Sequence, residues 1–288
     1  MVMSEWDQLK LHLQEWVEEY RGTSAAGKVA EYIPELSKAE QDRLGIHLLD
    51  SRGHSISSGD AQAGFTMQSI SKVFTLILAL MDHGEAAVFS KVGMEPTGDH
   101  FNSIMKLELS QPAIPFNPLI NAGAIVVSSM IKGENAKEKS ARILSFFREL
   151  AGNPGLNYDE PVYRSESETG HLNRSMAYFL LDKGTLGCGV EEVLDIYFRH
   201  CSIKVCCEDL ARMALVLAFD GTDPLSGKTL IPRRYVQIAK TFYGHLRDVQ
   251  RIGRVCHRRG AAGQKRRVRR DLDAGARTIR HWRRRAGT

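Results

Sequence analysis

From Ser69 onward apolar residues recur at helical spacing, through Val73, Phe74, Leu76, Ile77, Leu80 and Met81, and the pattern stops at Asp82-His83-Gly84. It predicts a strongly apolar helix with a C-terminal stop at the glycine. Upstream, Gly45 to Gly59 has the form of two short strands joined by a turn at Asp50 to Gly53, a β-hairpin. A leading helix is expected over Met1 to Arg21, with Trp6, Leu9, Leu11, Leu13, Trp16 and Val17 on its apolar side. Pro34 breaks the chain, and Ser37 is read as the cap of a short helix over Lys38 to Arg43. Helical patterns return over Ala122 to Ile131, Ala136 to Ala151, Gly189 to Cys201 and Glu208 to Ala218. Between them, Val162 to Ser175 reads as a polar loop entering a helix that runs to about Asp182, with Asn173 as its N-cap. A hairpin followed by helices predicts an α+β fold, an antiparallel or mixed β-sheet flanked by helices plus a helical subdomain. Beyond Tyr243 neither period persists and apolar residues are too few for a core. The chain therefore divides into a leading helix over 1–21, a folded domain over 22–242 and an arginine-rich tail over 243–288, read as disordered.

Charge sharpens that last boundary. The net charge is +5, yet from Tyr243 to Thr288 there are 14 Arg and one Lys against three Asp, a balance of +12, which leaves −7 for the rest. Such a tail suits nucleic acid or an anionic surface. The remaining composition is that of an ordinary globular chain, 43% hydrophobic and 25% charged. Five cysteines with no Cys-x-x-Cys pair are read as reduced thiols, neither a disulfide framework nor a metal site. The N-terminus lacks the basic and apolar regions of a signal peptide and no apolar run is long enough to span a bilayer, so the expectation is a cytoplasmic protein without a membrane partner.

The chemistry is concentrated at Ser69 and Lys72, a Ser-x-x-Lys at the start of the apolar helix. Spacing of three puts the amine on the hydroxyl's face, and a lysine whose pKa burial has lowered can act as base toward a serine. The spacing alone decides nothing, because Ser103 with Lys106 and Ser129 with Lys132 share it. Ser129, however, ends a helix, where Lys132 is explained as a partner of the helix dipole, and no long apolar helix follows Ser103. Asn121 stands alone in apolar company, as a structural residue or a ligand. Glu166 and Glu168 are either ammonium ligands or solvated, and Tyr32 is by default a packing residue. No cluster of metal ligands and no cofactor motif is present, so no cofactor is expected.

From about Gly22 to Thr241 the chain resembles the serine-dependent glutaminases of the β-lactamase/penicillin-binding-protein fold. The matching segments are Gly27-Lys-Val-Ala-Glu-Tyr-Ile-Pro34, Gln68-Ser-Ile-Ser-Lys72, Asn121-Ala-Gly-Ala-Ile125, Ser165-Glu-Ser-Glu-Thr-Gly-His-Leu-Asn173 and Asp195-Ile-Tyr-Phe-Arg-His-Cys-Ser-Ile203. The resemblance implies Ser69 as nucleophile, Lys72 as its base, and Tyr32, Asn121, Glu166, Asn173 and Tyr197 around the substrate. That substrate would be L-glutamine, hydrolysed to L-glutamate and ammonia through an acyl-serine, by a homo-oligomer, a dimer or tetramer. The absence of Ser-Asp-Asn and Lys-Thr-Gly weighs against a penicillin-directed relative. The competing readings are another acyl-serine hydrolase, esterase-like, on the same fold, and a non-enzymatic protein that binds nucleic acid through its basic tail. No specific nucleic-acid partner is expected on the first reading.

The resemblance stops after Thr241. Family members there resemble Cys-Gly-Met-Tyr-Asp and then Gly-Leu-Pro-Ala-Lys-Ser-Gly-Val-Gly-Gly-Gly-Ile, a site tyrosine and an edge strand whose valine N–H completes an oxyanion hole with the nucleophile's own N–H. Neither segment is present. Degenerate codons for Ala261 to Leu272, read one nucleotide out of frame, permit Leu-Pro-Ala-Lys-Ser-Gly-Val-Ser-Gly-Gly-Ile. The expectation is a one-base insertion or deletion near Thr241 to Tyr243, an out-of-frame tail, and little activity in the chain as written.

Overall fold

The computed structural model describes residues 5–24, 27–95 and 114–242. The arginine-rich tail, Ser103 and Lys106 lie outside these residues.

Helix α1 (Glu5–Ser24) buries Leu13 and Val17 and packs on the hairpin formed by β1 (Gly45–Leu49) and β2 (Ser55–Gly59). The hairpin register runs from Gly45 opposite Gly59 to Leu49 opposite Ser55. Its turn is built by Asp50, whose Oδ1 accepts from the backbone N–H groups of Arg52 (2.8 Å) and His54 (2.9 Å), an Asx arrangement that presets the bend. The helix expected over Lys38 to Arg43 is absent. A short 3-10 helix over Pro34–Lys38 stands there instead, with Ser37 inside it donating to Pro34 O (2.6 Å). The stretch from Lys38 to Arg43 has no apolar face to bury, so a proline-started turn wins.

After β3 (Phe65–Thr66) and a 3-10 turn (Gln68–Ile70), α2 (Ser71–Phe89) carries the main apolar pattern. The expected stop is real but local: Gly84 leaves helical geometry at φ 77, ψ 171, and helical turns resume to Phe89. Helix α3 spans Asn121–Ser129, and Gly123 is required within it, because a Cβ there would lie 2.0 Å from Asn117 O. Helix α4 (Ala136–Ala151) is capped by Asn135 and closed by Gly152 at φ 61.

The polar loop expected over Val162 to Ser175 is largely helical. β4 (Asn157–Tyr158) is followed by α5 (Glu160–Thr169), which Asp159 caps by accepting from Val162 N–H (3.2 Å), and by α6 (His171–Asp182), whose N-cap is Gly170. Asn173 is therefore an interior helical residue and not a cap, which leaves its side chain free for other contacts. Helix α7 (Val190–Cys201), β5 (Ile203–Val205) and α8 (Cys207–Ala218) follow, and residues 233–242 are helical.

Among the described residues every strand pair is antiparallel: β1 with β2, and β5 between β3 and β4. The architecture is α+β with helices dominant. Helix α7 sits at the centre of the helical part, against α2, α3, α4, α5 and α6, and buries Val193, Leu194, Ile196, Tyr197, Phe198 and Cys201. The carboxylate of Asp82, 1% exposed, ties three elements together by accepting from Lys132 N–H (3.0 Å) and from Arg142 Nε (3.1 Å). Asp82→Ala leaves those donors without their acceptor and is expected to cost about 1–3 kcal/mol in urea denaturation; an unchanged midpoint would contradict this role.

Candidate active site

The start of α2 is held by the small sheet. Strand β3 pairs with β5, Phe65 opposite Val205 and Thr66 opposite Lys204, and the pairing extends one step further as Met67 N–H donates to Ile203 O (2.9 Å). The chain then turns through Gln68 at φ 46, left-handed geometry that a non-glycine residue adopts at a cost of about 1–3 kcal/mol and that clusters at functional sites. Ser69 follows at the middle of the 3-10 turn and is exposed. The side chain of Gln68 is engaged on both sides: Tyr32 Oη donates to its Oε1 (3.1 Å), and its Nε2 donates to Thr66 Oγ1 (3.1 Å). Tyr32 is 65% exposed, yet burial around its phenol still pushes the pKa up to about 12.

One turn after Ser69, Lys72 is 2% exposed. Its Nζ donates to Asn121 Oδ1 (2.6 Å) and, more weakly, to Leu119 O (3.4 Å). Asn121 passes the chain on, donating from Nδ2 to Asn173 Oδ1 (3.0 Å). The first residue of α3 thus bridges the amine of α2 to the third residue of α6. Burial pushes the Lys72 amine down to about 8, against the pull of Cys201 and Glu166. Tyr197 of α7 is 2% exposed, with its ring centroid 6.0 Å from Lys72 Nζ, and burial raises its phenol well above the usual value.

Among the described residues Glu166 is the carboxylate brought into this group, 6% exposed on the inner face of α5 one turn after Val162. Its Oε2 is buried and makes no hydrogen bond among the described residues. Burial pushes its carboxyl up to about 8, partly offset by Lys72. Glu168, two residues on, is exposed, so of the two acidic candidates only Glu166 faces inward. Ser69, Lys72, Tyr32, Asn121, Glu166, Asn173 and Tyr197 therefore lie around the start of α2, the last five from five different stretches of chain. No group of three or more His, Cys, Asp or Glu side chains with metal-site geometry occurs among the described residues.

A family model for glutaminases matches residues 27–243. The chain belongs to the glutaminase family. A glutaminase of Bacillus cereus is 50% identical over 231 residues, which span 80% of this chain and 75% of that protein. A glutaminase of Alkaliphilus metalliredigens is 52% identical over 230 residues, with the same coverage. Among solved structures, a probable glutaminase from Bacillus subtilis complexed with 6-diazo-5-oxo-L-norleucine superposes with a TM-score of 0.73 at 38% identity, over 84% of this chain and 74% of that one. A Bacillus subtilis glutaminase in covalent complex with 5-oxo-L-norleucine, formed from the same reagent, gives a TM-score of 0.72 at 39% identity over 81% and 73%. Family membership makes the protein an amidohydrolase of α+β architecture. No helix among the described residues is long and apolar enough to cross a membrane.

Sequence reasoning missed two residues near this site. Gln68 carries no signal of its strained conformation. His200 does carry one, since it falls on the buried face of α7 among Ile196, Tyr197 and Cys201, and a histidine at such a position needs partners for both ring nitrogens.

Proposed function

We propose that the site hydrolyses L-glutamine with Ser69 as nucleophile and Lys72 as general base. The observation that carries this reading is the buried Lys72 amine, held by Asn121 one helical turn after Ser69 with its pKa brought down to about 8. In its neutral form the amine carries a lone pair that can accept the serine proton, while its hydrogens are donated to Asn121 Oδ1 and, more weakly, to Leu119 O. The Ser69 oxygen attacks the side-chain amide carbon of glutamine, the C–N bond breaks, and ammonia leaves with the proton from Lys72. Water, deprotonated by the same amine, then hydrolyses the γ-glutamyl ester to glutamate.

Substrate recognition follows from charge. The buried Glu166 oxygen without a partner is suited to the α-ammonium group, whose arrival lowers the carboxyl's pKa by supplying a cation. Asn121, Asn173, Tyr32 and Tyr197 offer amide and phenol donors for the α-carboxylate and acceptors for the remaining hydrogens. On this reading the protein works as a cytoplasmic homo-oligomer, a dimer or tetramer. An esterase-like acyl-serine hydrolase has no use for an unpaired buried carboxylate, and nothing favours it.

Both Lys72 and Glu166 act in the deprotonated form and both titrate near 8. The rate at which 6-diazo-5-oxo-L-norleucine alkylates Ser69 is therefore expected to rise from about pH 6 and level off above about pH 9. A rate that falls over that window would contradict the assignment of Lys72 as base.

A further inference from the structure

His200 lies within the central helix, 1% exposed, and both its ring nitrogens meet serine hydroxyls. Nδ1 is 2.8 Å from Ser71 Oγ and Nε2 is 3.0 Å from Ser128 Oγ. Each serine also reaches a backbone carbonyl: Ser71 Oγ to Gln68 O at 2.6 Å, and Ser128 Oγ to Ala124 O at 2.7 Å. The row therefore runs from the turn that carries Ser69, through α2 and α7, to α3, whose first residue holds Lys72.

Counting hydrogens fixes its direction. Burial, reinforced by Lys72, pushes the imidazole down to about 3, so it is neutral and has one N–H. With two hydroxyl hydrogens, three hydrogens serve the four close contacts, and one close contact goes without; Cys201 Sγ, 3.9 Å from both Nδ1 and Ser71 Oγ, is a more distant and weaker neighbour. Two facing lone pairs repel, so the close contact left empty is the longest of these, Nε2 to Ser128 Oγ at 3.0 Å. The ring hydrogen then sits on Nδ1 and is donated to Ser71 Oγ, the Ser71 hydroxyl donates to Gln68 O, and the Ser128 hydroxyl donates to Ala124 O. The other tautomer places the empty contact at 2.6 or 2.8 Å on the Ser71 side.

Gln68 C=O and Ser69 N–H belong to one rigid peptide plane and point in opposite directions. Holding the carbonyl therefore aims the N–H. Resting on the reading of Ser69 as nucleophile, we propose that His200 is a positioning residue: through Ser71 it fixes the Gln68–Ser69 peptide plane and so orients the Ser69 N–H toward the oxygen of the attacked carbonyl. This plane needs an external hold because Gln68 is at φ 46, away from the conformations it would adopt unaided.

The test is nitrogen-15 NMR of the full chain with labelled histidine, alongside His200→Leu, His200→Gln and Ser71→Ala. The expected result is a neutral His200 carrying its hydrogen on Nδ1, moving toward Nε2 in Ser71→Ala. In His200→Leu, hydrogen exchange at the Ser71 amide, which also donates to Gln68 O, should rise about tenfold with loss of one supporting hydrogen bond. The Ser69 amide resonance should shift with it. His200→Gln, whose side-chain amide supplies a donor at the same place, should restore both to near the wild-type values, which a purely space-filling role for His200 would not produce. A hydrogen on Nε2 in the wild type, or an unchanged Ser71 amide in a folded His200→Leu protein, overturns the proposal. Alkylation of Ser69 by 6-diazo-5-oxo-L-norleucine in the wild type is read separately: its absence would sink Ser69 as nucleophile, while the tautomer and amide results would still decide whether His200 holds the turn.

Discussion

Replacing Lys72 by methionine is expected to slow Ser69 acylation and alkylation by about 10²- to 10⁴-fold, the usual contribution of a positioned base, while the protein remains folded. Methionine matches the length of the lysine stem, so the packing against Leu119, Asn121 and Tyr197 survives, and the change removes an amine that burial already disfavours in its charged form. Stability should fall by no more than about 1–3 kcal/mol, because Asn121 Oδ1 loses its donor while a buried ionisable group gives way to an apolar one. The separation of the two effects is what identifies a base: a structural lysine would lose stability and reactivity together. A variant that keeps full reactivity would transfer the role to another group. Glu166 would be the first to consider, since it is buried in the same group and titrates near the same pH.

Restoring the reading frame after Thr241 is expected to raise ammonia release from L-glutamine by at least about 100- to 1,000-fold, the loss associated with one missing oxyanion donor. The match to the glutaminase family ends at residue 243, and the aligned region spans 75% of the Bacillus cereus relative. All the side chains proposed for binding and nucleophilic attack lie before that point. Degenerate codons for Ala261 to Leu272, read one nucleotide out of frame, permit a segment that resembles the family's oxyanion strand. Purified chain as written and frame-restored chain, compared side by side, give the answer directly. Equal activity in both would mean that the second oxyanion donor comes from elsewhere in the chain and that the tail is not an accident of frame.

The fold was legible where one face of an element is uniformly apolar or a turn has its own chemistry. Helix α4 appears at the expected residues, Ala136 to Ala151, because Asn135 and Gly152 mark both ends. The hairpin appears because Asp50 builds its turn locally. Helix α5 was missed because its buried face is narrow: Val162 and Glu166 are its only fully buried residues, and a buried glutamate has the same spelling as a solvated one. The site was legible in part for the same reason. Ser69 and Lys72 share a helical face that spacing alone defines, but Asn121, Asn173 and Glu166 acquire meaning from tertiary contacts, and their roles came from resemblance to relatives. The conformation of Gln68 and the row from Ser71 to Ser128 are products of packing against α7, which no local pattern encodes.

The most direct measurement of the central claim is peptide mass spectrometry of the full chain after treatment with 6-diazo-5-oxo-L-norleucine. Alkylation forms a bond from the Ser69 oxygen to the diazo carbon, breaks the carbon–nitrogen bond and releases dinitrogen; the serine proton ends on that carbon. No charge needs to build up on the ketone oxygen, so the reaction reads the nucleophile even where the oxyanion site is incomplete. The account predicts a single adduct on the peptide that carries Ser69, lost in Ser69→Ala and greatly slowed in Lys72→Met. An adduct on another residue, or an unmodified Ser69 in folded protein, would contradict it.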